Sequence, residues 1–244
     1  MEDGIPMLAL QGASETWGAP QKTGQSGAYQ SEFHEVERAA AYNLQFQRRI
    51  LKLGTTRRES AIIRRHFRQL GRSRVVLDLP CGGGRLTPAF ADSTDLVIEA
   101  DIAMGQIRYG RANSTVSTPQ VWTTASAFHI PLRDGSVDGT VCVRLSHHLP
   151  TAAEQDRLFH ELLRVSRRFL IVTFFDRHSL KNLTWDLRHP FKRKPVQPTM
   201  TTDRVAEFAR ANGARLVDAI PLSRIGSGHR YALIVKDGVA AGAD

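Results

Sequence analysis

The chain has 244 residues, of which 41% are hydrophobic, and its formal net charge is +9 at pH 7. This length and apolar content exclude a fibrous or wholly disordered chain and fit one sizeable hydrophobic core with appendages. Two cysteines, Cys81 and Cys142, exclude a disulfide-stapled scaffold and favour a reducing compartment. The acidic N-terminus and the lack of an apolar run of ~20 residues predict a soluble, cytoplasmic protein without a signal peptide.

Two stretches concentrate the positive charge. Residues 48–74 contain ten Lys/Arg and one acid, Glu59, and residues 177–194 contain six Lys/Arg and Asp186. Such stretches are either solvated helix faces or surfaces that attract nucleic acid, a phosphorylated glycan or anionic lipid headgroups. The first stretch lacks the repeated aromatic residues that stack on single-stranded bases, so base readout is not supported.

The N-terminal part of the chain predicts a leader followed by helices. Residues 1–30 are rich in Gly, Gln, Ser and Ala, and we expect a flexible leader. A helical pattern starts at Ser31 and is predicted to end at Gly54. A second helix is predicted over 57–70, with Gly71 as its stop signal.

Strand and helix patterns alternate in the rest of the chain, which divides the protein into N-terminal helices over 31–72 and a domain over 73–244. Near-continuous apolar strands alternating with amphipathic helices predict a doubly wound α/β fold, with a parallel sheet covered on both faces. The predicted strands are 74–79, 96–101, 121–125, 137–143, 169–175, 214–220 and 230–236, and the predicted helices are 84–92, 103–113, 151–166 and 202–212.

The first predicted strand runs into an acid, a proline and three glycines, in the sequence VVLDLPCGGGRLTP. Ligands of doubly wound sheets bind at the carboxyl ends of the strands, where Asp78 and Asp101 end the first two. We expect Asp101 to accept hydrogen bonds from ribose hydroxyls. Gly82 and Gly84 are expected to let the backbone approach the ligand, and a helix starting near Arg85 to present free N–H groups.

The spacing of the glycines departs from the dinucleotide fingerprint, because the third glycine of G-x-G-x-x-G falls on Thr87. The run Asp-Leu-Pro-Cys-Gly-Gly-Gly instead resembles the first motif of class I S-adenosylmethionine-dependent methyltransferases, with Pro80 in place of the family's first glycine. S-adenosylmethionine carries a sulfonium cation and no pyrophosphate. An acid at Asp78 therefore suits this ligand, and no third phosphate-binding glycine is needed.

Three more segments extend the resemblance over residues 74–176. The segment IEADIAMGQI resembles the family's second-strand acid and helix start, AFHIPLRDGSVDGTVCVRLSHHL its adenine-loop segment and fourth strand, and ELLRVSRRFLIVTFFD its next helix and fifth strand. The resemblance implies a seven-stranded, mostly parallel sheet and S-adenosylmethionine as cofactor. The family usually has an acid near the adenine amino group where Ser126 stands here. The implied cofactor contacts are Asp78, Pro80, Gly82, Gly84, Arg85, Asp101, Ile102, Ser126, Ala127, Phe128 and Leu145.

Candidates for catalysis follow the fourth predicted strand. Methyl transfer is an in-line displacement, so the enzyme mainly orients the reactants and needs a base only where the nucleophile must lose a proton. Arg144, His147 and His148 are the candidates, with either histidine acting as a base or as a packing residue. Asp176 and His178 follow the fifth strand at the same edge, either in the site or as a helix cap and a loop residue. No metal site is predicted.

A long basic loop over 177–200 is expected to be a flap that faces the substrate. Tyr29 and Tyr42 fall in the N-terminal segment that covers the cofactor in the family, where they close the other side of the site or serve as ordinary helix residues. If the two basic stretches frame the acceptor site, the acceptor carries phosphates or carboxylates. Changing Lys192–Lys194 together to Ala should then raise the acceptor's KM at low salt.

These observations favour a methyltransferase that acts on an oxygen or nitrogen of a small-molecule, glycan or envelope-type acceptor. The acceptor is expected to be anionic. The alternative is a tRNA or rRNA methyltransferase. Against it, the sequence has no Asn-Pro-Pro-aromatic motif, no pair of catalytic cysteines and no appended RNA-binding module. A third alternative, a non-catalytic binding protein of the same fold, is disfavoured by Gly82, Gly84 and Asp101. A dehydrogenase ranks last, and the sequence leaves the oligomeric state open.

Overall fold

The structure is a computed structural model that describes residues 36–48, 50–177, 199–223 and 227–238. His178, Tyr29 and Lys192–Lys194 lie outside these ranges. Within them the chain forms five α-helices and seven β-strands, together with short 3-10 turns. In chain order they are α1 (Val36–Arg48), α2 (Ile50–Leu70), β1 (Ser73–Asp78), β2 (Thr94–Asp101), α3 (Met104–Asn113), β3 (Gln120–Thr124), β4 (Val137–Cys142), α4 (Ala152–Val165), β5 (Ser166–Phe175), α5 (Thr202–Ala211), β6 (Ala214–Pro221) and β7 (His229–Lys236).

The seven strands form one sheet in the order β3-β2-β1-β4-β5-β7-β6. The first five strands are parallel, and β7 runs antiparallel to both β5 and β6. The predicted doubly wound, mostly parallel sheet is thus confirmed. Because the strand order reverses between β1 and β4, a ligand crevice is expected at the carboxyl ends of these two strands.

Each face of the sheet is covered by helices that bury an apolar stripe. On one face, Ile63 and Phe67 of α2 pack in a core with Val141 of β4 and Leu233 of β7. On the other face, α4 and α5 pack against the opposite side chains of the same strands. Alternation along the strands sends successive side chains to these two cores, which explains the near-continuous apolar runs in the sequence.

The predicted break between the first two helices, with an end at Gly54 and a new start at residue 57, is wrong. Gly54 does not end a helix, since α2 begins at Ile50 and continues through this exposed glycine to Leu70. The stop at Gly71 is confirmed, because Gly71 adopts φ +69° and its N–H donates to the Phe67 carbonyl at 3.0 Å. A left-handed residue of this kind is the usual end of a helix, and glycine adopts it without strain.

The predicted helix over 84–92 is also absent. The chain instead forms two 3-10 turns, Thr87–Ala89 and Ala91–Ser93. Pro88 disfavours helical geometry at the preceding residue and lacks an N–H of its own, which explains the break in an otherwise apolar pattern. The expectation of a helix N-terminus with free amides near Arg85 is therefore wrong. No helix in the described ranges is long and apolar enough to cross a membrane.

Candidate functional site

The loop after β1 lies at the carboxyl edge of the sheet and is built on two left-handed glycines. Gly82 has φ +56° and Gly84 has φ +72°. A Cβ on Gly82 would meet no atom closer than Gln106 Oε1 at 4.0 Å, so this position leaves open space beside the loop. A Cβ on Gly84 would lie 2.9 Å from the ring of Trp122. Glycine at position 84 is therefore explained by backbone geometry and by Trp122 packing.

Asp101 ties this loop to the end of β2. Its Oδ2 accepts the N–H of Gly82 at 2.9 Å, and its Oδ1 accepts the N–H of Ala103 at 2.9 Å. Burial raises the pKa of Asp101, while the backbone N–H groups of Ala103, Gly82 and Ile102 lower it. The side chain is fully buried, so its first structural role is to position the loop, and the ribose contact stays a prediction.

Two more buried carboxyl groups lie beneath the loop. Asp78 is paired in register with Glu99 of β2, and both are buried. Glu99 Oε1 accepts hydrogen bonds from Thr87 Oγ1 at 2.7 Å and from Gln120 Nε2 at 2.9 Å. Burial raises the pKa of Glu99 to about 7. Burial, followed by the charges of Glu99 and Asp101, raises the pKa of Asp78 well above its ordinary value.

Helix α1 lies against the same loop. The Asn43 side-chain amide donates to Gln106 Oε1 of α3 at 2.8 Å, and a Cβ on Gly83 would lie 2.7 Å from it. Tyr42, on the same helix, is half-buried, and burial raises its pKa although Arg85 and Arg144 lower it. The described N-terminal segment therefore covers the glycine loop, with Asn43 lying against Gly83. The boundary between helices and domain at residues 72 and 73 stays a prediction.

The residues expected around an adenine ring follow β2 and β3, which are neighbours in the sheet. Ile102 directly follows Asp101, and Ala125 donates to the Asp101 carbonyl at 3.1 Å. Ser126 Oγ accepts the Phe128 N–H at 3.3 Å, and Ala127 is buried. The fold thus brings Ile102 and the segment 126–128 to one edge of the sheet, as expected for a shared ligand.

The end of β4 carries a network that the sequence did not predict. Glu59 of α2 is fully buried, and its carboxylate accepts hydrogen bonds from three side chains. The donors are Arg144 (Nε at 2.8 Å, Nη2 at 2.7 Å), Arg85 (Nη1 at 2.6 Å) and Tyr231 (Oη at 2.8 Å). Burial alone would raise the pKa of Glu59, but the charges of Arg85 and Arg144 outweigh it and lower the pKa.

The sequence offered one signal for this network, because Glu59 is the single acid among ten basic residues. No sequence pattern pointed to Tyr231. The network also changes the interpretation of two predicted site residues. Arg85 binds Glu59 and Thr56 Oγ1, and Arg144 binds Glu59. Both residues were expected at the ligand edge, and both lie there, since Arg85 follows the glycine loop and Arg144 follows β4.

The two candidate bases differ in their surroundings. The ring of His147 is enclosed by the rings of His148 at 4.1 Å, Phe175 at 4.6 Å and His229 at 4.8 Å. Burial, followed by the charges of His148, His229 and Arg144, lowers the pKa of His147 to about 2. Burial and the charge of Arg144 also lower the pKa of His148, which is the more exposed of the two. His147 is thus a packed neutral ring, and His148 is the better placed proton acceptor.

Three other expected residues also lie near the ends of the strands. Leu145 is half-buried against the core, and its carbonyl accepts the N–H of His148 at 2.9 Å. Asp176 is buried and accepts a hydrogen bond from Arg230 Nε at 2.6 Å. Pro80 follows a cis peptide bond in the glycine loop. All three lie at the carboxyl edge of the sheet.

The basic stretch 48–74 spans the whole depth of the molecule. Glu59 lies at the carboxyl edge through its contact with Arg144, but Leu70, about 16 Å further along the helix, lies at the opposite edge. There the Leu70 carbonyl accepts from Arg168 Nη2 at 2.6 Å, and Arg72 pairs with Asp95 near the start of β2. Residues 64–74 therefore do not frame the ligand edge, contrary to the expectation for the whole stretch.

Comparisons with known proteins agree with this geometry. A protein-family model described as "Methyltransferase domain" matches residues 77–169. The structure resembles magnesium protoporphyrin IX methyltransferase from Synechocystis PCC 6803 with bound SAH, at TM-score 0.71 and 15% identity over 87% of this chain and 100% of the other.

Two further solved structures show the same fold. One is the putative methyltransferase in complex with the Haloferax volcanii Trm112 methyltransferase activator, at TM-score 0.62 and 13% identity over 88% of this chain and 98% of the other. The second is a possible histamine N-methyltransferase from Thermotoga maritima, at TM-score 0.54 and 15% identity over 83% and 98%. No curated protein sequence matches the chain.

Proposed function

Since the chain belongs to the class I S-adenosylmethionine-dependent methyltransferases, we propose that it methylates an oxygen or nitrogen of a small-molecule, glycan or envelope-type acceptor that carries negative charge. The cofactor is S-adenosylmethionine, which supplies an electrophilic methyl group on a sulfonium. The identity of the acceptor is the proposed part.

The residues present fit this cofactor. Asp78, Glu99 and Asp101 are three buried carboxyl groups under the glycine loop. A cation bound beside the loop would offset the repulsion among these carboxyl groups. Gly82 leaves room beside the loop. We propose that the loop 80–84 and Asp101 hold the ribose and the amino-acid part, and that Ile102 and 126–128 hold the adenine.

The chain's remaining task is to orient the acceptor and to accept a proton where the nucleophile carries one. His148 is the proposed base, because it stands beyond the end of β4 and is open to solvent, while His147 supports it by ring packing. A base with a lowered pKa stays neutral at pH 7 and is therefore ready to take a proton.

The observation that supports an anionic acceptor is the charge of the carboxyl edge. In the described ranges, Arg57, Arg58, Arg85 and Arg144 lie along it, and the whole chain has net charge +9. An RNA acceptor is the alternative that this charge also permits. The sequence lacks an Asn-Pro-Pro-aromatic motif and a pair of catalytic cysteines, which leaves a small anion as the better supported acceptor.

The cofactor site is tested by calorimetry with S-adenosylhomocysteine and NAD on Asp101→Ala. Asp101 positions Gly82 and is proposed to bind the ribose, so its loss should weaken S-adenosylhomocysteine binding by roughly 1.5–3 kcal/mol, about 10- to 150-fold. Asp95→Ala, at the opposite end of β2, is the matched control and should bind normally. Tighter binding of NAD than of S-adenosylhomocysteine would contradict the assignment.

The acceptor class is tested by transfer of a tritiated methyl group. The purified protein is incubated with labelled cofactor and either a panel of small phosphorylated or carboxylated metabolites and glycans or bulk tRNA. Label in a small anion supports the proposal, whereas label in tRNA alone would favour the RNA alternative.

A further inference from the structure

Glu59 is a fully buried carboxylate placed where helix α2 crosses the carboxyl ends of β1 and β4. It receives four hydrogen bonds from Arg85, Arg144 and Tyr231. A buried carboxylate is costly unless it is paired and hydrogen-bonded, and this one is paired twice over. One carboxylate against two guanidiniums leaves the cluster with a surplus of one positive charge.

Arg144 is held in an unusual backbone conformation. It is the only non-glycine residue with positive φ in the described ranges, at +63°. Its N–H donates to Thr173 Oγ1 of β5 at 2.6 Å, which fixes the left-handed turn. Such a conformation is strained for a residue with a side chain and persists where the surroundings hold it, often at binding sites.

The side chain of Arg144 presents unused donors toward the open edge. Its Nε and Nη2 bind one oxygen of Glu59, and among the described residues no acceptor for Nη1 is found. The side chain remains 30% exposed although its anchor is fully buried. An arginine held on one side by a carboxylate and open on the other is a pre-oriented fork for an oxyanion.

The cluster adjoins the cofactor loop. Arg85 directly follows Gly84. The charges of Arg85, Arg144 and Asp101 all affect the pKa of Tyr42, which lies on the covering helix α1. It is also separate from the adenine segment, because Arg144 continues β4 whereas residues 126–128 follow β3. A group bound at Arg144 therefore lies at the open side of the cofactor loop, away from the adenine end.

We propose that Arg144, held by Glu59 together with Arg85, forms an oxyanion subsite that binds the carboxylate or phosphate group of the acceptor. The subsite rests on the proposed function, because it gives the acceptor's negative charge a specific partner. It explains why one acid is turned inward from a helix that is otherwise basic. Glu59 acts as a positioning residue, and Arg144 is the residue that contacts the acceptor.

The test is a thermal-shift titration with inorganic phosphate, and separately with succinate, at constant ionic strength on the complex with S-adenosylhomocysteine. The wild-type complex should show a saturable stabilisation. Arg144→Gln should raise the apparent Kd for the anion roughly 10- to 100-fold, the range for a lost charge-assisted pair. Arg144→Lys keeps the charge but not the fork, and should give an intermediate Kd.

Arg68→Gln is the matched control. Arg68 is an exposed arginine of α2, the helix that carries Glu59, and its Nε donates to the Arg64 carbonyl at 3.4 Å. Its anion response should equal that of the wild type. If Arg144→Gln does not fold, as judged by loss of its cooperative thermal unfolding transition without ligand, Arg144→Lys alone decides, and an unchanged Kd in that variant overturns the proposal.

Three results would overturn the subsite. One is no saturable response in the wild type, and another is a response that Arg144→Gln retains. The third uses the complex with 5′-methylthioadenosine, which lacks the amino-acid carboxylate of S-adenosylhomocysteine. If the anion stabilises this complex but not the complex with S-adenosylhomocysteine, Arg144 holds the cofactor's own carboxylate and not the acceptor. Failure of S-adenosylhomocysteine to bind at all would count against the proposed function instead, and the anion titration of the ligand-free protein would still decide the subsite.

Discussion

Two buried glutamates show how partners decide the charge of a carboxyl group. Glu59 and Glu99 are both fully buried. Glu59 binds two guanidiniums, which hold its pKa low against the effect of burial. Glu99 instead binds neutral donors, Thr87, Gln120 and the Cys81 thiol, and burial raises its pKa to about 7. Glu59 is therefore an anion that organises arginines, and Glu99 takes up a proton near neutral pH.

This difference predicts a pH dependence of folding in the ligand-free protein. Between about pH 4.5 and pH 7 the folded state keeps a proton on Glu99 that the unfolded state releases. The stability that Glu99 contributes is fully present below pH 4.5 and is lost as the pH rises through 7. With about 1.4 kcal/mol per pKa unit, the loss is about 3 kcal/mol.

The measurement is urea unfolding of the wild type and of Glu99→Gln across this range. The wild type should become less stable relative to Glu99→Gln by about 3 kcal/mol between pH 4.5 and pH 7. Asp134→Asn removes an exposed acid and is the control, expected to run parallel to the wild type. A constant difference between wild type and Glu99→Gln would contradict the raised pKa.

The site was predictable from the sequence as far as its residues are local. Asp78, the glycines and Asp101 end successive strands, so one sheet topology brings them together. Glu59 and Tyr231 are 172 positions apart, and their hydrogen bond depends on how α2 crosses β7. No periodicity in either segment encodes that crossing.

At the scale of elements, two helical glycines have opposite surroundings. Gly54 lies within α2 and a Cβ there would meet no atom within 4 Å. Gly110 lies in α3, where a Cβ would be 2.2 Å from the ring of Trp122. The first is an unfavourable helix residue, and the second makes space for an indole that also contacts Gly84.

We therefore expect alanine to have opposite effects at these two positions. Gly54→Ala should stabilise the protein by roughly 0.5–1 kcal/mol through helix propensity alone. Gly110→Ala should destabilise it by roughly 1–3 kcal/mol, because the methyl group overlaps the indole. Thermal unfolding measures both, and Trp122→Leu should remove most of the penalty of Gly110→Ala. Equal effects at both glycines would show that the Trp122 contact is not tight.

The order and type of most elements followed from the sequence, and the exceptions have local causes. The strands were recognisable because burial on both faces requires continuous apolar runs. The prediction of a helix over 84–92 was wrong. Pro88 favours tight turns there, and Phe90 packs on Phe67 with ring centroids 5.1 Å apart. The predicted break at Gly54 was wrong because packing of the following turns, which bury Glu59, Ile62 and Ile63, outweighs one weak helix residue.

At the scale of the molecule, the net charge of +9 raises the question of whether a polyanion is the acceptor. Part of the basic stretch 48–74 lies at the far edge of the sheet, and some of its arginines are already paired, as Arg65 is with Asp218. The described basic residues of this stretch are thus divided between the two edges of the sheet, and Arg65 and Arg72 are paired. A small anion that meets one arginine fits this distribution better than a nucleic acid does.

This distribution predicts a shallow salt dependence. The logarithm of affinity for the true acceptor should fall with the logarithm of salt concentration with a slope of about one or less, as for one neutralised phosphate. Fluorescence anisotropy with labelled bulk tRNA provides the contrast. A slope of several units with tRNA, together with methyl transfer to it, would overturn the choice of a small acceptor.

β7 is the last described strand in the chain, so the sheet cannot be completed during synthesis until β7 is available. This strand lies between β5 and β6, although it follows both in the chain, and β6 pairs with no other described strand. Until residues 229–236 leave the ribosome, the nascent chain carries an open edge on β5 and an unpartnered β6. Glu59 also lacks its Tyr231 donor until then. The growing polypeptide therefore keeps the edge of β5 open until its last strand is available, and an open strand edge is a site for wrong strand pairing.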